Sequence, residues 1–213
     1  MSRFFFYPVL DALNDGKVIR NSLSVALKVM GVLSLLAGAY LLIEILKMVF
    51  QLPTDGTIGG LLFAVIFVAT VLAIAQIFWY RAGSVAALGD SPFTVIPIVS
   101  ILLRLAGEVY ATLGVSVGVG SCLFIWFATN NPLGLVPGLG GFLPSTSPGT
   151  GFLGGLSFLI YLSVASLMAL VFFYFLAEAS YVMIDVARHV RLLVKQGAPS
   201  GKAPVVPETS SVL

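Results

Sequence analysis

Four long apolar stretches constrain the fold of this chain more than any other feature of its sequence. They cover residues 23–50, 58–80, 98–128 and 153–177. A transmembrane helix needs about 20 mostly apolar residues, each rising about 1.5 Å, to cross a hydrocarbon core of about 30 Å. All four stretches reach that length. The sequence therefore predicts an all-α integral membrane protein, arranged as a bundle of four transmembrane helices.

The composition agrees with a lipid bilayer as the surroundings of the chain. Hydrophobic residues make up 59% of the chain and charged residues only 9%, whereas about 25% of the residues in an ordinary soluble domain are charged. The formal net charge of +2 is too small for the basic face that nucleic-acid binding requires. We therefore expect the lipid bilayer, and no nucleic acid, as a partner.

The spans belong to one predicted membrane domain, residues 1–196. Its first part, 1–22, contains the aromatic segment "RFFFYPVL", which is too short to cross a bilayer and is expected to lie in the interface. Basic residues at helical spacing after span four predict a cytoplasmic extension of the last helix along anionic headgroups. The tail, 197–213, has three prolines and no apolar periodicity, so it is expected to be disordered.

The positions of Lys and Arg predict the orientation of the chain. Basic residues favour the cytoplasmic side of a membrane. They precede span one, flank the second connection and follow span four, whereas the third connection, 129–152, carries no charge. Both termini are therefore predicted to be cytoplasmic, and we expect the chain to reside in a bacterial inner (plasma) membrane.

The sequence contains a pattern that occurs twice. The motif "GGLLF" at 59–63 returns as "GGLSF" at 154–158, and both following runs end in an aromatic triplet, at a constant offset of 95 residues. The preceding helices match at an offset of 76 residues. The positions matched there are Ser24, Lys28, Gly31 and Gly38 with Ser100, Arg104, Gly107 and Gly114. This pattern predicts two tandem parallel helical-hairpin repeats, 23–90 and 91–196. Chance recurrence of common apolar residues is the alternative.

Ionisable residues inside a span are costly and are candidates for function. Four of them are predicted to form a charge cluster at the inner boundary of the membrane: Lys28, Arg104, Glu108 and Glu178. Glu108 lies one helical turn after Arg104, so an ion pair with Arg104, or with Lys28, is the structural interpretation. A carboxylate lining a transport path is the functional one. Glu44 and Lys47, three residues apart near the other boundary, predict an intrahelical pair.

Small residues at helical spacing predict a stripe where helices can approach closely. Its members are Gly31, Gly38, Ala111, Gly114, Gly118 and Cys122. Packing between helices of this chain is one interpretation, and packing against another subunit is the other.

Sequence patterns for catalysis are missing from the chain. It has no zinc-protease helix and no phosphate-binding glycine loop, and it holds one cysteine and one histidine. We expect no enzymatic activity, metal or cofactor. The sequence instead favours a structural or accessory subunit of a membrane protein assembly, acting through helix packing and the uncharged outer loop 129–152. Its partners would be other membrane subunits or further copies of itself. The alternative is a small channel or proton-coupled transporter with Glu108 lining the path.

Overall fold

The computed structural model describes residues 17–88, 95–128 and 151–197. They form four α-helices: α1 Lys17–Val49, α2 Thr54–Ala86, α3 Val95–Ala128 and α4 Gly151–Gly197. Each contains a segment long and apolar enough to cross a membrane. The prediction of four apolar helices that could span a membrane is thereby confirmed. Most of the predicted interfacial segment, the outer loop and the C-terminal tail lie outside the described residues.

The connection between α1 and α2 is short and defined by its residues. Pro53 immediately precedes α2, with φ −57° and ψ 161°, where its missing N–H removes no helical hydrogen bond. The hydroxyl of Thr57 donates to the carbonyl oxygens of Leu52 and Pro53, each at 3.1 Å. Asp55 in the first turn complements the positive end of the helix dipole. This turn returns the chain directly, so α1 and α2 pack as an antiparallel hairpin.

Helix α4 is much longer than a membrane crossing requires. It runs for 47 residues, about 70 Å of helix, against a hydrocarbon core of about 30 Å. Its apolar span covers Gly151–Met183. Its remaining residues therefore continue the same helix beyond the span, and no break separates the two parts.

The four helices of the bundle are arranged as an open row in the part of the chain that the structure describes. In the described part of the chain, extensive packing joins only consecutive helices: α1 to α2, α2 to α3 and α3 to α4. In an 18-residue apolar window of each span, 44% of the residues of α3 and 28% of those of α2 are buried, compared with 17% in α1 and in α4. Helices α2 and α3 therefore lie inside the row, and α1 and α4 are its edges. Apolar length specifies a span but not its neighbours, which is why the sequence did not specify this arrangement.

Two apolar clusters hold α1, α2 and α3 together, and they lie toward opposite ends of these helices. The first consists of Ile45, Val49, Phe63, Ala64 and Phe124. The second consists of Leu27, Ala82, Val85, Ile101 and Leu105. A smaller cluster of Val117, Phe158 and Leu162 joins α3 to α4. In both larger clusters, side chains from α1 and α3 meet around α2.

Helices α1 and α2 meet in the same register as α3 and α4. In each pair a glycine of the first helix makes room for a side chain of the second. The matched contacts are Gly31 on Phe78 and Gly107 on Phe173, then Gly38 on Val71 and Gly114 on Ser166. A β-carbon at Gly107 would lie 2.8 Å from the β-carbon of Phe173, too close for any side chain. The small residues therefore fix how closely the helices of each pair approach.

The residues beside the outer loop are held by an aromatic contact. The indole of Trp126, near the end of α3, stacks on the ring of Phe152 with centroids 4.8 Å apart. Its Nε1–H donates to the carbonyl oxygen of Phe152 at 3.1 Å. The two helices that flank the loop are thereby tied together where the loop leaves and returns.

Candidate functional site

A polar contact between three helices lies where α1 and α3 begin and α2 ends. We call this end of the helices the basic end. Glu108 of α3 accepts hydrogen bonds from Arg81 of α2 and Tyr174 of α4. The Nε–H of Arg81 donates to Glu108 Oε2 at 2.9 Å, and its Nη2 pairs with Glu108 Oε1. The hydroxyl of Tyr174 donates to the same Oε1 at 2.6 Å. We call these three residues the clasp.

The clasp is well shielded and its groups satisfy one another. The side chains of Arg81 and Glu108 are 12% and 21% exposed. Arg81 binds the carboxylate through two nitrogens, and this bidentate geometry is the strongest for guanidinium–carboxylate pairs. Its Nη2 also donates to the Tyr174 hydroxyl at 3.3 Å. Because a charge at this depth is costly without its partner, the clasp locks α2, α3 and α4 together.

The depth of the clasp matches one face of a membrane. Arg81, Glu108 and Tyr174 lie 23, 20 and 21 residues from the opposite ends of their apolar stretches, at residues 58, 128 and 153. That separation is about 30 Å of helix, close to the thickness of a hydrocarbon core. The three residues therefore share one level, near the boundary between hydrocarbon and headgroups.

Arg104 lies beside the clasp but forms no ion pair with Glu108. Its guanidinium carbon is 5.4 Å from the centroid of the Tyr174 ring and 6.0 Å from that of Tyr181, both within the range of cation–π attraction. Its Nε is buried and has no hydrogen-bond partner in the described residues. The predicted pairing of Arg104 with Glu108 is thus replaced by the bidentate Arg81, which reaches the carboxylate from the neighbouring helix. Within one helix, an acidic residue placed after the basic one is the weaker order.

The other two members of the predicted charge cluster stay apart from the clasp. Lys28 lies on α1, where it lines an external groove together with Trp79. Glu178 is exposed on α4, one turn beyond Tyr174, and it makes no salt bridge within the part of the chain that the structure describes. The structure therefore brings Arg104 and Glu108 together, around Tyr174, and leaves Lys28 and Glu178 outside. At the other boundary, the predicted pair of Lys47 and Glu44 is confirmed at 2.8 Å.

Arg81 and Tyr174 are the members of the clasp that the charge-cluster prediction left out. Arg81 lies at the end of a span and Tyr174 in an aromatic triplet, so each by itself is typical of a membrane boundary. The signal that could have identified them is their common depth with Glu108 in adjacent spans. A carboxylate that is level with an arginine on one neighbour and a tyrosine on another has two donors within reach.

The stripe of small residues faces helices of the same chain at the positions where contacts are resolved. A β-carbon at Gly38 would meet Val71, and one at Gly114 would meet Ser166. One at Gly118 would lie 3.3 Å from Leu162 Cβ. Cys122 is 3% exposed, and Ala111 is half-buried. The chain's own helices therefore occupy most of this stripe.

The described residues include no group of three His, Cys, Asp or Glu side chains that could hold a metal ion. The clasp offers one cation, one carboxylate and one phenol, all in contact with one another, and Arg104 beside it contacts aromatic rings. Comparisons with known protein families, curated proteins and solved structures return no match to this chain. Its function must therefore be inferred from the helices and their contacts.

Proposed function

We propose that this protein is a structural or accessory subunit of a membrane protein assembly, with no catalytic activity of its own. The observation that carries the proposal is the open row of helices. Its two edges, α1 and α4, have little of their span buried by the rest of the described chain. The charges of the clasp are meanwhile paired with each other within the fold. Such an arrangement offers apolar faces for neighbouring subunits.

The edge helices present large apolar side chains along their outer faces. On α1, Leu36 is 63% exposed, and on α4, Met168 is 65% exposed. Lipid is as apolar as these side chains, so association in a membrane depends on close packing between helices. We propose that α1 and α4 each pack against a helix of another subunit, or of a second copy, and that the outer loop 129–152 adds to that contact.

We further propose that the chain arose from two tandem parallel hairpins, α1–α2 and α3–α4. The shared register of the glycine contacts in the two helix pairs supports this. The order of the motifs along the sequence supports it independently. In this proposal the basic end faces the cytoplasm of a bacterium, since Lys and Arg favour that side of the inner membrane, and both termini lie there with the extension of α4.

A small channel or proton-coupled transporter using Glu108 is the less favoured function. A carboxylate that relays protons or ions needs access to water along a path and freedom to change its charge. Glu108 instead accepts hydrogen bonds from Arg81 and Tyr174 on both oxygens. The grooves found in the described part of the chain lie between consecutive helices on the outside, at α1 and α2.

Site-specific photo-crosslinking tests whether the edge helices meet other subunits. A photoreactive amino acid is placed at Leu36 on α1 and at Met168 on α4, in cells that make the full chain. We expect each to give a discrete protein adduct of fixed mass. Val65, on the inner helix α2 and 68% exposed, is the matched control and is expected to give lipid adducts. Lipid adducts alone at all three positions would contradict the proposal.

A further inference from the structure

A groove on the outside of α1 combines one cation with an apolar wall. It is open to the outside, has a volume of about 420 Å³ and is lined by Lys28, Val29, Val32, Leu33 and Trp79. Gly31 makes room for the indole, because a β-carbon there would lie 2.9 Å from Trp79 Nε1. Trp79 is 46% exposed. Its ring therefore forms one side of the groove and still faces the surroundings of the protein.

The charge in this groove lacks the nearby carboxylate that lies beside its equivalent, Arg104, in the second repeat. At the offsets of 76 and 95 residues, Lys28 corresponds to Arg104 and Trp79 corresponds to Tyr174. Glu108, whose carboxylate lies beside the second pair, corresponds to Val32. Lys28 forms no salt bridge within residues 17–88, 95–128 and 151–197. An anion from outside the chain would therefore complement the ammonium group.

The polarity of the groove matches that of a phospholipid. Because α1 starts at the basic end, Val32 and Leu33 lie about 6 to 8 Å deeper in the membrane than Lys28. Val29, Val32 and Leu33 are three and four residues apart, so they lie on one face of α1. Lysine near a helix end directs its ammonium to the headgroups while its stem covers apolar surface, and tryptophan favours the same interface. The cation thus lies toward the headgroups, and the apolar wall toward the acyl chains.

We propose that this groove is a binding site for an anionic phospholipid of the leaflet at the basic end. The Lys28 ammonium binds the lipid phosphate, and the exposed side of the Trp79 ring packs against the lipid. One acyl chain lies along Val29, Val32 and Leu33. The absence of a carboxylate at position 32 is what makes the site selective for an anionic headgroup over a zwitterionic one.

Quenching of Trp79 fluorescence by brominated lipids tests the site. The chain has two tryptophans, so the test uses a Trp126→Phe background, which keeps a ring to stack on Phe152. The protein is reconstituted in phosphatidylcholine vesicles containing brominated phosphatidylglycerol or brominated phosphatidylcholine. One basic residue near a membrane surface contributes about 1 kcal/mol, so we expect about fivefold stronger apparent binding of the anionic lipid. Lys28→Gln is expected to remove this preference, and Lys28→Arg to retain it.

Lys47→Gln is the matched control on the same helix. Lys47 lies at the opposite boundary and is already paired with Glu44, so the lipid preference at Trp79 is expected to stay unchanged. Equal quenching by the two lipids in the Trp126→Phe protein would overturn the proposal. The same holds if Lys28→Gln keeps the preference, or if Lys47→Gln lowers it as much as Lys28→Gln does.

Discussion

Replacing Glu108 by glutamine is expected to lower the free energy of unfolding by about 3 kcal/mol. The change removes the negative charge and leaves Arg81 shielded without its counter-ion, and breaking one side of a buried ion pair costs about 3–5 kcal/mol. The lower end applies because the Glu108 side chain keeps 21% exposure. Helix content followed during unfolding in mixed micelles of increasing sodium dodecyl sulfate measures the effect.

The control for this variant is Glu178→Gln, which changes an exposed carboxylate on α4. A substitution at such a position changes the free energy of unfolding by no more than about 0.5 kcal/mol. Combining Arg81→Gln with Glu108→Gln completes a double-mutant cycle. The double variant is expected to be more stable than the sum of the single losses predicts, since it removes both charges together. Equal losses for Glu108→Gln and Glu178→Gln would show that the clasp does not stabilise the fold.

Introducing a single methyl group at Gly38 is expected to destabilise the hairpin of α1 and α2 by about 1–3 kcal/mol. The added β-carbon would lie 3.1 Å from Val71 Cβ and overlap both of its γ-carbons. Valine is stiff about χ1 in a helix, so it cannot rotate away at low cost. Unfolding of Gly38→Ala, measured as for the clasp variants, tests this expectation.

Gly83→Ala is the matched control, for which no loss of stability is expected. Gly83 lies in α2, and a β-carbon there meets nothing within 4 Å. Alanine exceeds glycine in helix propensity by about 1 kcal/mol, so this variant is expected to be as stable as the natural protein or more so. Adding Val71→Ala to Gly38→Ala is expected to recover part of the loss. If Gly38→Ala and Gly83→Ala behave alike, close packing at Gly38 does not hold the hairpin.

The sequence was sufficient to predict the spans because apolar length is a local property. The run at 58–80 became α2, Thr54–Ala86, and the run at 153–177 became part of α4, Gly151–Gly197. These two helices are longer than their apolar runs because the hydrogen bonds of the backbone continue wherever no proline or glycine turn interrupts them. At six of the eight helix ends the helix extends beyond the apolar run that predicted it.

The clasp and the open row depend on which helices are neighbours, and a linear pattern does not specify that. Arg104 is near Glu108 along the chain, yet Arg81, 27 residues away, holds the carboxylate. The choice follows from α2 packing beside α3 at equal depth. The lack of extensive packing between α1 and α4 in the described residues likewise has no sequence signature, since the spans of both helices expose apolar side chains.

The mass of the particle in lipid nanodiscs tests the central claim most directly. The full chain is extracted gently from its membrane, captured in nanodiscs, and analysed by native mass spectrometry. A protein that works through its edge helices is expected to emerge with a second copy or another membrane protein at fixed stoichiometry. Recovery of single chains alone, accompanied by lipid only, would contradict the account.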